Sequence, residues 1–370
     1  MSSRLYARAS SSRLLALPGR LRAASTMKEA IVSRGPKVRI VDSPMPTPGP
    51  GQVVTKVVVS GSNPKDWKRP EYWGSKGTGN QGDDISGIVH AVGEGVSDFK
   101  PGHRVAAFHE MMQPGGSYAE YGTLQLVCSW LRRIVADTAA PEGAALPLAA
   151  LTAACGLYSR LRLPEPWLPV PDSQRIPLVI WGASSAVGSY AVQLAKRSNI
   201  HPLICVAGRA QAHVEQLIDR SKGDTVIDYR RGPDAVARDI KASLKGARLE
   251  YAFDAVSEMG SYQAICQVLD HQTGKITLIV PAQSYSDIPK TIEKSVTTVA
   301  SIHQDLKDFG YVYSRYFSRG LEEGWLKAQP QEIIPGGLEG VEEGLTKLKN
   351  GTVSAVKYVF RIADTPGVEP

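Results

Sequence analysis

The sequence predicts an α/β protein of two parts, a mostly β domain followed by a doubly wound parallel sheet. Three observations predict it. Short β-type runs punctuated by Gly and Pro fill the first third of the chain, and strand and helix patterns alternate from Leu178 onward. Between them the stretch PLVIWGASSAVGSYAVQLAKR, residues 177–197, joins a strand to a helix through a turn of small residues.

Residues 28–32, 38–41 and 53–59 alternate polar and apolar side chains or run through valines, and each reads as a β-strand. The loop PMPTPGPG, residues 44–51, has proline φ angles that favour extended chain over helix. Residues 60–68 form a polar turn entering a short helix. Strand-like pieces follow at 87–92 and Arg104–Phe108, and the Gly-rich segment 115–121 closes the β part. Near Thr138 the character changes: Ala144, Ala145, Leu148, Leu151, Ala154, Leu157 and Tyr158 give residues 139–160 the spacing of one or two apolar helices. A proline-rich link, 164–171, leads to the turn at Gly182. Beyond it come strand Leu203–Ala207, helix 214–218, strand 225–229, helix 236–244, strand 251–256, helix 262–269 and strand 276–280. Such alternation requires parallel strands with crossover helices. After Pro281 the pattern is mixed, with a helical run at 338–349 and a strand-like 355–362 that predicts a return to the first domain. Segments 284–289 and 311–317 read as loops that shape a pocket.

At 370 residues, 42% hydrophobic and 21% charged, the chain suits a globular protein with two cores, and no apolar run is long enough to span a bilayer. Its net charge of +7 is concentrated: Arg4, Arg8, Arg13, Arg20 and Arg22, with no acid in residues 1–26, leave +2 for the rest. The body has no basic stripe with interleaved aromatics, which argues against nucleic-acid binding. Residues 1–26 fit a mitochondrial transit peptide in composition, or a disordered extension before Met27, so the expected location is the cytoplasm or, with a transit peptide, the mitochondrion. Cys128, Cys155, Cys205 and Cys266 have neither metal-ligand spacing nor a disulfide framework, and the histidines form no metal pattern. No metal is expected.

The turn at 182–188 leaves unpaired N–H groups at a helix N-terminus, and its small side chains let an anionic group approach; a dinucleotide pyrophosphate is the expected guest. As a G-x-G-x-x-G fingerprint it is imperfect, with Ala183 and Ser185 at the first two glycine positions and Gly188 at the last. A small-residue turn also packs a helix on a sheet without any ligand, so the rest of the chain has to decide. The second strand ends in Gly208-Arg209 with no acid before Glu215. An acid there would bind a ribose 2′-hydroxyl, whereas Arg209 suits a 2′-phosphate, which points to NADPH. Lys222 and Tyr229 are further candidates for that phosphate and the adenine.

The segment GDDISGIV, residues 82–89, continuing through Val92-Gly93 and FKPGHRV, residues 99–105, resembles the medium-chain dehydrogenase/reductase superfamily. In its zinc alcohol dehydrogenases the frame begins G-H-E and carries a zinc-ligand Cys about twenty residues earlier. Here Asp83 and Asp84 replace the His and Glu, Asn63 stands at the Cys, and the structural-zinc lobe is missing. The resemblance therefore implies the zinc-independent branch of quinone and enoyl reductases, whose G-G-x-x-A-E-Y occurs at 115–121. Asn63 to Trp67, residues 146–153, the 182–188 turn, residues 253–256 and residues 355–357 together resemble the fungal enoyl reductases that act in trans beside polyketide synthases.

That resemblance implies a GroES-like β domain over 27–150, a Rossmann cofactor domain over 151–300 and a return to the β domain over 301–370. It implies NADPH contacts from Asn63, Pro64, Lys65 and Asp66, from Ala183, Ser184, Ser185, Ala186, Val187 and Gly188, and from Gly208, Arg209, Tyr229 and Val356. Leu146, Pro147, Leu148, Ala149, Ala150, Leu151, Thr152 and Ala153 would line the substrate cleft. The implied reaction adds hydride to the β-carbon of an α,β-unsaturated carbonyl and leaves an enolate that needs a hydrogen-bond donor and a proton. Lys65, Tyr72 and Lys357 are candidate donors. A quinone or alkenal reductase and a non-catalytic NADPH-binding protein are the competing readings. The expected partner is a polyketide synthase delivering a carrier-bound enoyl chain, and the chain is expected to be a monomer or homodimer.

Overall fold

The computed structural model describes residues 26–125, 129–131, 140–352 and 354–369. Residues 1–25 of the expected targeting segment, and Cys128, lie outside the described residues.

The chain opens with a hairpin, β1 (Thr26–Ser33) and β2 (Lys37–Pro44), paired antiparallel from Thr26 opposite Pro44 to Ser33 opposite Lys37. Next come β3 (Gln52–Gly61), helix α1 (Lys65–Trp73), β4 (Asp84–Val92), β5 (Arg104–Phe108), β6 (Tyr121–Gln125) and β7 (Ser129–Leu131). Strand β3 is central: it pairs with β4 and β6, and its two faces bury Val53, Val54, Val57 and Val59. Side chains alternate across a strand, so a strand buried on both faces must be covered twice. Helix α2 (Ala140–Ala145) covers one face through Ala140 and Ala144 against Val59.

Helix α3 (Pro147–Ala154) follows, continues through a wider π-type turn, Cys155–Arg160, and carries the chain to β8 (Leu178–Trp181). Helix α4 (Ala186–Arg197), β9 (Leu203–Ala207), α5 (Gln211–Glu215), β10 (Thr225–Asp228), α6 (Pro233–Ser243), β11 (Tyr251–Asp254), α7 (Ser261–Cys266), β12 (Lys275–Leu278) and β13 (Glu293–Val296) then alternate. Their strands form one six-stranded parallel sheet in the order β10-β9-β8-β11-β12-β13. This is the doubly wound order, with its reversal between β8 and β11. Leu178, Val179 and Ile180 are fully buried at its centre, as parallel strands covered on both faces must be.

Helix α8 (Lys307–Glu322), β14 (Gln331–Ile333), α9 (Val341–Lys349) and β15 (Lys357–Arg361) complete the chain. Strand β15 pairs antiparallel with β3 and parallel with β14, so the last residues join the sheet begun by β3. Cys155 and Cys205 are buried free thiols and Cys266 is a half-buried one. No helix among the described residues is long and apolar enough to cross a membrane.

Three local expectations change. Residues 311–317, expected as a loop, lie inside α8, where Phe309, Tyr313 and Phe317 fall at helical spacing and pack on the same core as α4. Strand β13 was hidden because its EKSV sequence has no apolar run; it is an edge strand with half-buried and exposed side chains. Residues 115–120 are irregular, and regular pairing begins at Tyr121.

Candidate active site

Strand β8 ends at Trp181 and the chain turns through Gly182, whose φ of +74° lies in the left-handed region that favours glycine. Ser185 caps α4, its Oγ accepting the Gly188 N–H at 3.0 Å. A Cβ on Gly188 would overlap the Gly182 carbonyl oxygen, so strand and helix approach as only glycine allows. Gly182 and Ala183 are buried, whereas Ser184, Ser185, Ala186 and Val187 are half-buried. The first N–H groups of a helix have no intrahelical acceptor, and they sit at the positive end of its dipole. The turn thus fits a dinucleotide pyrophosphate in both its donors and its room.

One strand along, β9 runs into Gly208 and Arg209. The Tyr229 ring, 44% exposed, covers Gly208, where a Cβ would come 2.6 Å from it. Exposed Arg209 donates from Nη2 to the Gly351 carbonyl at 2.9 Å. The neighbouring acid, Asp228, is bound by Arg230 at 2.6 Å, whose hydrogen bonds hold its carboxyl down to about 2. Lys222, expected at the same phosphate, stands elsewhere. It precedes β10 and pairs at 2.7 Å with Asp172, which precedes β8, so both lie at the amino edge of the parallel strands, opposite the turn.

The β domain contributes a buried ion-pair cluster. Asp84 Oδ2 accepts from Lys357 Nζ at 2.7 Å and from Asn63 Nδ2 at 2.8 Å, and its Oδ1 accepts the Leu148 N–H at 2.7 Å. Lys357, 5% exposed, also donates to Asn63 Oδ1 at 2.8 Å. Asp83 pairs with Lys65 and with His109 Nδ1, the latter at 2.9 Å. Lys65 also pairs with Asp66 at 2.7 Å and donates to the Gln81 carbonyl. Asp66 Oδ2 accepts the Asn63 N–H at 2.7 Å and the Tyr118 hydroxyl at 2.6 Å. Burial pushes the Asp83 carboxyl up, but the Lys65 ammonium and His109 outweigh it and hold it below the usual range. Burial and nearby Asp83 keep Asp66 raised in spite of Lys65, and burial with Asp66 drives the Tyr118 hydroxyl well up.

Both candidate lysine donors are engaged within the cluster, Lys357 buried and Lys65 with 18% of its side chain exposed. Tyr72 is 68% exposed on α1. Pro64 stands at the start of α1, where its missing N–H costs nothing. Of the stretch Leu146 to Ala153, only Leu148 is half-buried; the other seven residues are buried, with α3 packed against α4. Thr152 Oγ1 donates to the Leu148 carbonyl at 2.7 Å. Val356 is half-buried against the β-domain core.

Two residues had no distinguishing sequence signal. His109 reaches Asp83 because β4 and β5 pair with Asp84 opposite Phe108. Gln329 follows α8 in an irregular segment, yet its Nε2 donates to the Ser184 carbonyl at 3.2 Å and its N–H to the Tyr190 hydroxyl oxygen at 2.9 Å, at the rim of the turn.

An antiparallel β domain carrying this cluster, joined to a six-stranded doubly wound sheet with a capped small-residue turn, defines a medium-chain dehydrogenase/reductase. Residues 49–131 match the model of the alcohol dehydrogenase GroES-like domain. The chain is 69% identical to trans-enoyl reductase fsr4 of Gibberella fujikuroi, over 92% of this chain and 100% of that protein. Among solved structures it superposes on CurK enoyl reductase with a TM-score of 0.73 at 18% identity, covering 90% of this chain and 99% of that one. The crotonyl-CoA carboxylase/reductase AntE in complex with NADP superposes with a TM-score of 0.71 at 16% identity, covering 92% and 96%. The chain belongs to the fungal trans-enoyl reductases.

Proposed function

We propose that the chain uses NADPH to reduce the carbon–carbon double bond of an α,β-unsaturated thioester, delivered on the carrier domain of a polyketide synthase. The observation that carries the cofactor reading is the carboxyl end of β9, where Arg209 stands and no free carboxylate does. Ser184 to Gly188 hold the pyrophosphate, Gly208 and Arg209 the 2′-phosphate, and Tyr229 the adenine. When bound, NADPH supplies the hydride. Lys65 and Lys357 act as positioning residues: through Asp66, Asp84 and Asn63 they fix the 63–66 turn, and half-buried Leu148 presents the rim of α3 to the substrate. Val356 packs on the β-domain core, and residues 27–150 with the returning strands β14 and β15 form the substrate-side domain, while α8 packs with α4 on the cofactor-domain core.

Stopped-flow loss of reduced-nicotinamide absorbance with crotonyl-pantetheine tests the reaction, with a quinone as the control acceptor. Faster turnover with the quinone than with the thioester would overturn the substrate assignment. For the cofactor, Arg209→Ala should weaken NADPH binding about tenfold or more and leave NADH binding nearly unchanged, since one charge-assisted phosphate contact is worth about 1.5–3 kcal/mol. Equal losses for both would remove Arg209 from the phosphate.

A further inference from the structure

The segment between α8 and β14 is irregular, yet its main chain is pinned on both flanks. Gln193 of α4 bonds both main-chain groups of Lys327: its Nε2 donates to the Lys327 carbonyl at 3.1 Å and its Oε1 accepts the Lys327 N–H at 2.8 Å. The Tyr190 hydroxyl, one turn earlier on α4, accepts the Gln329 N–H at 2.9 Å and donates to the Ala145 carbonyl at 3.1 Å. On the other flank the Pro330 carbonyl accepts the Lys357 N–H at 2.7 Å, at the start of β15. Residues 327–330 thus join α4 to the lysine that bonds Asn63 and Asp84.

Gln329 lies at the centre of this link and is 2% exposed. Its Nε2 donates to the Ser184 carbonyl at 3.2 Å, and the amide also faces the His213 ring of α5, which lies 3.2 Å from Ser189 Oγ. A carbonyl only accepts, so the nitrogen end of the amide is the end at Ser184. An apolar side chain of this length would fill the same space with no amide to desolvate. The consequence of the bond lies in the turn. The N–H and C=O of a trans peptide point in opposite directions. Here the Ser185 N–H donates to the Gly182 carbonyl at 2.8 Å, and Gln329 holds the Ser184 carbonyl. That peptide plane is therefore fixed at both ends. It leads directly into the Ser185 cap and sets the direction of the Ala186 and Val187 N–H groups, which with that of Ser184 meet no acceptor among the described residues.

We propose, resting on the proposed use of NADPH, that Gln329 is a positioning residue for the cofactor pyrophosphate: its amide holds the 184–185 peptide in the orientation that aims the free N–H groups of the turn at the phosphates. Through Pro330 and Lys357 the same residue keeps the turn in register with the β-domain cluster. Arg209 acts on the 2′-phosphate, whereas Gln329 acts on a group that NADPH and NADH share. The coupling is reciprocal: what Gln329 adds to pyrophosphate affinity, bound pyrophosphate adds to the stability of the link.

The test uses the full chain. Gln329→Leu should weaken NADPH and NADH alike by about fivefold in fluorescence titration, the measure of one neutral hydrogen bond. 2′-AMP, which carries the adenine and the 2′-phosphate but no pyrophosphate, should bind as it does to the wild type. With crotonyl-pantetheine as acceptor, KM for NADPH should rise by the same factor while kcat at saturating NADPH changes by less than about twofold, as lost uniform binding requires. Gln329→Glu keeps the length but has no N–H donor, and should lose at least as much. A folded variant that binds NADPH as the wild type does overturns the proposal, as does a loss confined to NADPH or a matching loss of 2′-AMP. If neither variant folds, hydrogen exchange of the wild type decides. NADPH should slow exchange in residues 182–188 and 327–331 together and 2′-AMP in neither; any other pattern overturns the proposal. A wild type that binds no reduced nicotinamide would take the proposed cofactor with it, whereas a wild type that binds NADPH but is indifferent to Gln329 leaves that cofactor standing.

Discussion

Asp84 is the residue through which three parts of the chain meet: the 63–66 turn through Asn63, strand β15 through Lys357, and helix α3 through the Leu148 N–H. Both oxygens are saturated, and the ammonium partner is 4% exposed, so neither charge has water to fall back on. Asp84→Asn should therefore strand the Lys357 charge and lower unfolding free energy by about 3–5 kcal/mol, read from denaturant midpoints. Pairing it with Lys357→Met should recover most of the loss, because removing both charges removes the desolvation penalty along with the attraction. A double variant no more stable than Asp84→Asn would show that the carboxylate acts through Leu148 and Asn63 alone. The sequence marked Asp83 and Asp84 only as standing where the zinc frame has His and Glu. It did not expose their partners, since Lys357 lies 294 positions from Asn63 and no local spacing encodes that contact.

At the scale of elements, the strand–turn–helix over 178–197 was legible because its causes are local: an apolar run, a serine cap and a 3.6-residue period. What the sequence could not convey is why position 188 tolerates no side chain. Gly188→Ala would drive its Cβ into the Gly182 carbonyl, a backbone atom that cannot rotate away. We expect it to weaken NADPH binding tenfold or more and to lower Tm, measured by fluorescence titration and calorimetry; unchanged binding would mean that the turn does not hold the pyrophosphate. Helix α8 shows the opposite failure. Its aromatic residues read as a pocket loop because Gly310, Gly320 and six aromatic or β-branched residues depress intrinsic helix propensity. Packing of Tyr313 between Tyr158, at a centroid distance of 5.4 Å, and Phe309, at 4.3 Å, overrides that propensity.

For the whole molecule, two buried groups pull the pH dependence of stability in opposite directions. The folded His303 titrates at about 4, below its unfolded value, so between about 4 and 6.5 the unfolded chain binds the extra proton and this group makes stability rise with pH. Asp254 is pushed up to about 6, chiefly by burial, against about 3.9 when unfolded; over that window the folded chain holds the extra proton, and this group makes stability fall as pH rises. Each contributes at most about 1.4 kcal/mol per pH unit, so the two largely cancel between pH 4 and 6. Asp254→Asn should remove one side of that balance and leave stability rising more steeply with pH there than in the wild type, in denaturant titrations at half-unit steps. An identical slope in both proteins would mean that Asp254 is not held protonated by the fold.

The sequence by itself determined the order of strands and helices over most of the chain, the small-residue turn at 182–188, and the absence of an acid after β9. These depend on neighbours a few positions apart, where periodicity and steric demand act directly. Tertiary structure alone decided the pairing of β15 with β3, the burial of Lys357 against Asp84 and Asn63, the bond from His109 to Asp83, and the position of His303 beside Phe108. Each joins distant segments, and a charge or ring gains its meaning only from what desolvates it and what is left to bond with it.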